Sequence, residues 1–229
     1  VMGAHLREDL LAADAAAGGT SGSSPALAPL LERLNLTDVA LRTLDRNIFA
    51  RAIAAIDRQF ADQPAVRSDL LLTVSETMAG LGMLDAAQGP MQEAYSQRRH
   101  DLGDDDPATL QAQVALSSLL LQRGKLTEAD GLLTDALARV RRVAGPDHPI
   151  AIDALHDLGL LRASQNRLKE SEQIDRETLE RTGRVLGPDH PSTLSAELNL
   201  DRAAERPYLF EHVCRNKCPH RVRANVESL

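Results

Sequence analysis

The sequence is poor in aromatic residues and contains no tryptophan. Phe, Trp and Tyr account for 2% of the 229 residues, whereas hydrophobic residues as a whole account for 43%. The core must therefore be filled by Leu, Ala and Val, which favours closely packed helices. No apolar run approaches the roughly 18 residues that a membrane-spanning helix needs, so no helix of this sequence is predicted to cross a bilayer.

Cysteine and net positive charge are also scarce. Cys214 and Cys218, the two cysteines, lie in the last 16 residues and cannot cross-link the body of the fold. The formal net charge of −7 argues against nucleic acid and anionic membranes as partners. The first five residues have neither a basic region nor an apolar core, so no signal peptide is predicted. We expect a soluble chain, cytoplasmic if free-standing, with the compartment left open if it is part of a membrane-anchored protein.

A five-residue segment recurs at a fixed interval of 42 residues. Gly145–Pro149 has the sequence Gly-Pro-Asp-His-Pro, and the same five residues return at Gly187–Pro191. A degenerate copy, Gly-Asp-Asp-Asp-Pro, occupies Gly103–Pro107. Three such segments in one register indicate an array of stacked supersecondary units.

Each unit of the array is predicted to contain two helices. The first helices are expected at 65–81, 107–123, 149–165 and 191–205, and the second at 84–102, 126–144 and 168–186. Turns between them fall at Gly82, Gly124 and Asn166, because Gly and Asn accept the left-handed backbone that ends a helix. Each five-residue link ends in a proline, which suits the first turn of the next helix.

Other positions recur in the same register. Asp105, Asp147 and Asp189 precede the link prolines and are expected to cap the following helices. Apolar residues that recur one period apart are expected in the core: Val74, Leu116, Leu158 and Leu200. Small residues that recur are expected where helices approach closely: Ser75, Ser117, Gly159, Ala87, Ala129, Ser171, Ala94, Ala136 and Thr178.

The chain divides into four predicted segments. Residues 1–25, rich in Ala, Gly and Ser, form a flexible lead-in. Residues 26–64 hold two helices, at about 26–36 and 38–60. Residues 65–206 form the array, with three full repeats and one partial repeat. Residues 207–229 form a basic tail.

The spacing of the small residues resembles the tetratricopeptide repeat. The 42-residue unit with its Gly-Pro-Asp-His-Pro link is similar to the longer repeat of kinesin light chains and of many bacterial multidomain proteins. The resemblance implies an all-α, right-handed helical-hairpin solenoid whose first helices line a concave groove. It also implies a non-catalytic scaffold that binds a protein or peptide there and needs no cofactor.

The groove positions of that family can be placed on this sequence residue by residue. They are Asp69, Leu72 and Glu76; then Gln111, Val114, Ser118 and Gln122; then Asp153, His156, Leu160 and Ser164; and finally Ser195, Leu198 and Arg202. Kinesin light chains usually carry an Asn-Asn pair in the first helix, and here Asn199 alone matches it. The resemblance therefore implies a groove that is more apolar or more specific to its partner.

A second, shorter resemblance leaves an alternative open. Ile56–Pro64 looks like the segment that precedes such repeats in bacterial receptor-type serine/threonine protein kinases. The chain would then be a regulatory or sensor region of a membrane-anchored kinase. The sequence has no nucleotide-binding loop, no Gly-x-Ser-x-Gly and no kinase catalytic motif, so we do not expect an enzyme.

Several polar clusters have a structural and a functional interpretation. His148 and His190 are expected to serve the turn before a helix, and Asp104–Asp106 to cap a helix rather than bind calcium. His156 and Asp157 are adjacent in a helix and are not expected to face each other, although His156 could bind a ligand in the groove.

The tail raises two further questions. Its His212, Cys214, Cys218 and His220 could hold zinc, but their spacing fits no common finger, and an unstructured basic end is the preferred interpretation. The last repeat also lacks a recognisable second helix. We therefore expect Leu194, Leu198 and Leu200 to be covered either by a second chain or, as the preferred alternative, by a fold-back of Tyr208, Leu209, Phe210 and Val213.

Overall fold

The computed structural model describes residue 41 and residues 43–201, and at Arg46 it describes the backbone without the side chain. The predicted lead-in, the predicted helix at 26–36, Arg202 and the tail with its four candidate zinc ligands lie outside the described residues. Throughout the described part the chain consists of helices, turns and short links, and no strand is present there. The prediction of an all-α fold is therefore confirmed.

The helices alternate with short turns and links. A π-helix, Asp45–Phe49, runs into α1, Ala50–Gln59. Six helices follow: α2 Pro64–Gly80, α3 Leu84–Leu102, α4 Pro107–Gln122, α5 Leu126–Val143, α6 Pro149–Ser164 and α7 Leu168–Leu186. A further helix, α8, covers the described residues 191–201. For α2 to α7 the predicted bounds agree to within one residue at each end.

The turns within the hairpins have the backbone that the sequence predicts. Gly82 and Gly124 have φ angles of 81° and 74°, and Asn166, at the equivalent position, has a φ of 61°. Asn is one of the few residues with a side chain that enters this region readily, so the same turn forms without glycine. The described residues divide into two compact units, the first ending at Ala94 and the second beginning at Tyr95.

The helix caps differ from the sequence prediction by one position. Asp106 has an extended backbone, and its carboxylate accepts a hydrogen bond from the Ala108 N–H at 2.8 Å. His148 Nδ1 accepts from the Ile150 N–H at 3.3 Å, and His190 Nδ1 accepts from the Ser192 N–H at 3.2 Å. The residue directly before the proline is thus the N-cap, because proline itself occupies the first helical position. The predicted turn role of the two histidines is confirmed.

The aspartates that were expected to cap instead bind arginines of the next hairpin. Asp105 accepts hydrogen bonds from Arg139 at 3.3 Å and from Arg142 at 2.6 Å. Asp147, 42 residues later, accepts from Arg181 at 2.9 Å and from Arg184 at 2.5 Å. Each pair of arginines lies one turn apart on the second helix that follows the link. The link is therefore tied to the hairpin that follows it, and the capping prediction for Asp105 and Asp147 is wrong.

The recurring apolar and small residues form the core. Leu116 and Leu158 are buried, and Val74 and Leu200 are partly buried. All nine of the recurring small residues are buried. At one of these positions, Ser171 Oγ donates to the backbone oxygen of Gly159 at 3.0 Å, which shows how closely α6 and α7 approach.

Candidate functional site

The predicted groove residues on α2 and α4 differ in how much surface they offer. On α2, Asp69 and Glu76 are exposed, whereas Leu72 is buried. On α4, Gln111 and Gln122 are exposed and Ser118 is partly buried. Val114 is buried, so it leaves little surface for a ligand.

The groove positions on α6 and α8 are more accessible. On α6, Asp153, Leu160 and Ser164 are exposed and His156 is partly buried. Residues three or four positions apart share one face of a helix, so these four side chains form a stripe along α6. On α8, Ser195 and Leu198 are exposed. The last predicted groove residue, Arg202, lies outside the described residues.

A pocket of about 330 Å³ lies between α6, α7 and α8, all within the compact unit that begins at Tyr95. It brings together three of the predicted groove residues, Asp153, His156 and Ser195. Residues that the sequence did not single out for a site complete its walls: Ile152, Thr178, Thr182, Pro191 and Ser192. The polar and apolar walls together suit a side chain with an apolar stem and a polar end.

The threonine wall of the pocket follows from the hydrogen bonds within α7. Thr178 and Thr182 are buried, and each hydroxyl donates to a backbone oxygen four residues earlier, at 2.9 Å in both cases. The equivalent residues one repeat earlier are Ala136 and Val140. The small-residue register assigned Thr178 to packing, and that register gives no sign that a cavity opens beside it.

Backbone contacts at the start of α8 fix the other wall. The cap by His190 holds the Ser192 N–H, and Thr193 Oγ1 donates to the backbone oxygen of Gly187 at 2.8 Å. Pro191 occupies the first helical position, where its missing N–H leaves no unpaired group. The link therefore holds Pro191, Ser192 and Ser195 in place opposite α6.

A chain of polar contacts crosses three first helices beside the pocket. The Ser118 hydroxyl on α4 donates to the Asp157 carboxylate on α6. His156 Nδ1 lies 3.5 Å from Asp157 Oδ1, and the Asn199 side-chain nitrogen on α8 lies 3.0 Å from His156 Nε2. The expectation that His156 and Asp157 would not face each other is wrong, because the imidazole nitrogen and the carboxylate oxygen approach to 3.5 Å.

The charged groups of these polar contacts shift the pKa values of two pocket residues, His156 and Asp153. The contact with Asp157 raises the pKa of His156, although partial burial of the ring acts in the opposite direction. Partial desolvation by the pocket walls raises the pKa of Asp153, and the negative charge of Asp157 adds to that effect. The pocket therefore concentrates negative charge beside a histidine whose protonated form is favoured.

Metal clusters and membrane-spanning helices are absent from the described residues. Among them, no group of three or more His, Cys, Asp or Glu side chains could hold a metal ion. No helix in this part of the chain is both long enough and apolar enough to span a membrane.

Comparisons with known proteins agree with this fold. Residues 112–182 match the family model of the tetratricopeptide repeat. Two crystal structures of a "putative kinesin light chain" from Podosopora anserina, with nearly identical TPR-like repeats, match at TM-scores of 0.55 and 0.54. In both, 17% of residues are identical, and the match covers 78% of this chain and 88% of the other.

A third structure gives a similar result. BtubC (BKLC) from P. vanneervenii matches at a TM-score of 0.51 and 15% identity, over 77% of this chain and 80% of its own. No curated protein matches the sequence. At these identities the likeness concerns the fold alone. The chain thus contains tetratricopeptide repeats and has the helical-hairpin solenoid fold seen in kinesin light chain repeat proteins.

Proposed function

We propose that the chain is a non-catalytic interaction scaffold that binds a peptide or protein segment along the groove lined by α4, α6 and α8. The observation that carries the proposal is the pocket, since it unites Asp153, His156 and Ser195 from two successive first helices. Tetratricopeptide repeats generally mediate protein–protein interactions. The resemblance to that family implies that the predicted groove positions line its concave face.

The arrangement favours recognition through side-chain pockets over recognition of a peptide backbone. The Asn199 side chain matches the asparagine pair of kinesin light chains at one position, but it contacts His156 within the chain. Leu160 and Ser164 extend the accessible stripe of α6 beyond the pocket. A bound segment would therefore place one side chain in the pocket and lay the following residues along α6.

A random peptide library displayed on phage and panned on the immobilised full chain tests this proposal. The single variants Leu160→Arg and Ser164→Arg each place a long charged side chain in the groove. Each is expected to abolish binding of the enriched peptides. Glu172→Arg is the control, because Glu172 is partly exposed and lies on α7, outside the groove positions. Binding that survives both groove variants, or that Glu172→Arg removes as well, would contradict the proposal.

The relation to receptor-type serine/threonine kinases rests on the resemblance of Ile56–Pro64. In the structure this segment contains the end of α1, a turn, and Pro64 at the first position of α2. The coding sequence upstream of Val1 tests it. A kinase domain followed by an apolar helix of about 20 residues would make the scaffold a regulatory region of a membrane-anchored kinase. A start codon directly upstream would favour a free-standing, cytoplasmic scaffold.

A further inference from the structure

We infer that the pocket between α6, α7 and α8 selects a lysine or arginine side chain of the bound segment, with Asp153 as the group that receives its charge. The inference rests on the proposed function, because it concerns one side chain of a segment bound in the groove. It adds the chemistry of recognition, which neither the fold nor the family resemblance supplies.

Asp153 is an acceptor with unused capacity. Its carboxylate has no hydrogen bond or ion pair with any described residue, and it lies on the wall of the pocket. Asp157, one turn further along α6, differs because its oxygens already face Ser118 and His156. A carboxylate left without a donor in a partly desolvated pocket is stabilised when a cation enters.

The remaining walls match the other parts of a basic side chain. Ile152 and Pro191 offer apolar surface to the methylene stem, which long basic side chains bury readily. The hydroxyls of Ser192 and Ser195 can accept hydrogen bonds from an ammonium or guanidinium group. An acidic side chain would instead meet the negative charges of Asp153 and Asp157, so the pocket discriminates by charge.

Among the repeats from Tyr95 onward, the acidic character belongs to the third repeat. The residues one period before Asp153 and Asp157 are Gln111 and Ala115, and the residue one period after Asp153 is Ser195. Within the compact unit that begins at Tyr95, a basic side chain is therefore recognised at one position along the groove. This fixes the register of the bound segment as well as its charge.

Protonation of His156 is expected to oppose the binding of a cation. The groups that face His156 are Asp153 and Asp157 on its own helix, Asp175 on α7 and Asn199 on α8. As the pH rises through the pKa of His156, the ring loses its positive charge while the carboxylates keep their negative charges. Affinity for a basic peptide therefore rises with pH over this range.

The experiment is a panning of a random peptide library on the full chain and on three variants. The wild-type chain is expected to enrich lysine or arginine at one position. Asp153→Asn keeps the shape of the side chain and is expected to remove that preference, and Asp153→Lys is expected to replace it with Asp or Glu. Glu180→Gln, which removes an exposed carboxylate from α7 outside the groove positions, is the control and is expected to retain the basic preference.

One enriched basic peptide then supplies the affinities. It is expected to bind Asp153→Asn about 10- to 100-fold more weakly than wild type, as the loss of a charge-assisted hydrogen bond requires. Binders without a basic position, or a basic preference that survives Asp153→Asn, would overturn this inference and leave the scaffold proposal standing. The absence of any binder to the wild-type chain would overturn both.

Discussion

Two glycines inside helices provide a sharp test of how closely the two helices of a repeat approach. Gly159 lies in α6 and Gly131 lies in α5, and both are in helix interiors. A Cβ atom added at Gly159 would overlap Asp175 Oδ1 and lie 3.3 Å from Asp175 Cγ. A Cβ added at Gly131 meets nothing within 4 Å. Substitution by alanine should therefore have opposite effects at the two sites.

The magnitudes follow from two opposing contributions. Alanine in place of glycine inside a helix stabilises by about 0.5–1 kcal/mol, and Gly131→Ala should show that gain alone. Gly159→Ala has the same gain but must displace Asp175, which is 4% exposed and cannot move into solvent freely. Overpacking of this kind costs about 1–3 kcal/mol. The predicted quantity is the difference between the two variants, about 1–3 kcal/mol, with Gly159→Ala the less stable.

Urea unfolding of the full chain, followed by far-ultraviolet circular dichroism, measures this difference. The cause is checked in an Asp175→Ala background, where the Cβ added by Gly159→Ala no longer meets a carboxylate and the difference should shrink. Equal stabilisation by Gly131→Ala and Gly159→Ala in the wild-type background would refute the close approach of α6 and α7.

Three further predictions concern the core, the links and the groove. Leu158→Ala should cost about 2–5 kcal/mol in urea unfolding because Leu158 is buried, whereas the exposed Gln111→Ala should cost under about 0.5 kcal/mol. Hydrogen bonds from Arg184 and Arg181 lower the pKa of Asp147. The stability that the Asp147 carboxylate contributes, and that Asp147→Asn removes, should therefore be present at neutral pH. It should be lost as the pH falls below about 4 and through the lowered pKa. Asp157 raises the pKa of His156, so the stability that this pair adds should be complete below about pH 6.5. It should decrease as the pH rises through the raised pKa. An NMR titration of the ring and unfolding of His156→Asn at several pH values measure this dependence.

The arrangement of helices could be predicted from the sequence because glycine and proline mark the helix ends. The left-handed turns at Gly124 and Asn166 and the proline at the start of each first helix determine the boundaries with little help from tertiary contacts. The predicted caps are wrong by one position because they were assigned to the link aspartates by residue type, aspartate being a strong capping residue in general. The N-cap is instead the residue directly before the proline. The periodic arginines that bind Asp105 and Asp147 could have been found, since Arg139 and Arg181 also lie 42 residues apart.

The pocket could not be predicted because it depends on side-chain directions. The register of small residues identifies Thr178 as a packing position, and nothing in the sequence tells whether its side chain faces a neighbour or a cavity. The contact between His156 and Asp157 has the same origin, because sequence spacing limits where side chains start but not where their ends meet. Gln111 and Asp153 occupy equivalent positions, yet only the structure shows that a pocket opens beside Asp153.

Photo-crosslinking tests directly whether the face formed by α4, α6 and α8 binds a peptide segment. A peptide enriched by panning would carry a photoreactive residue at successive positions, and mass spectrometry would locate the crosslinked residues of the full chain. A peptide bound in the groove should crosslink to accessible groove positions such as Gln122, Leu160, Ser164 and Ser195. Crosslinks confined to the exposed faces of α5 and α7 would contradict it.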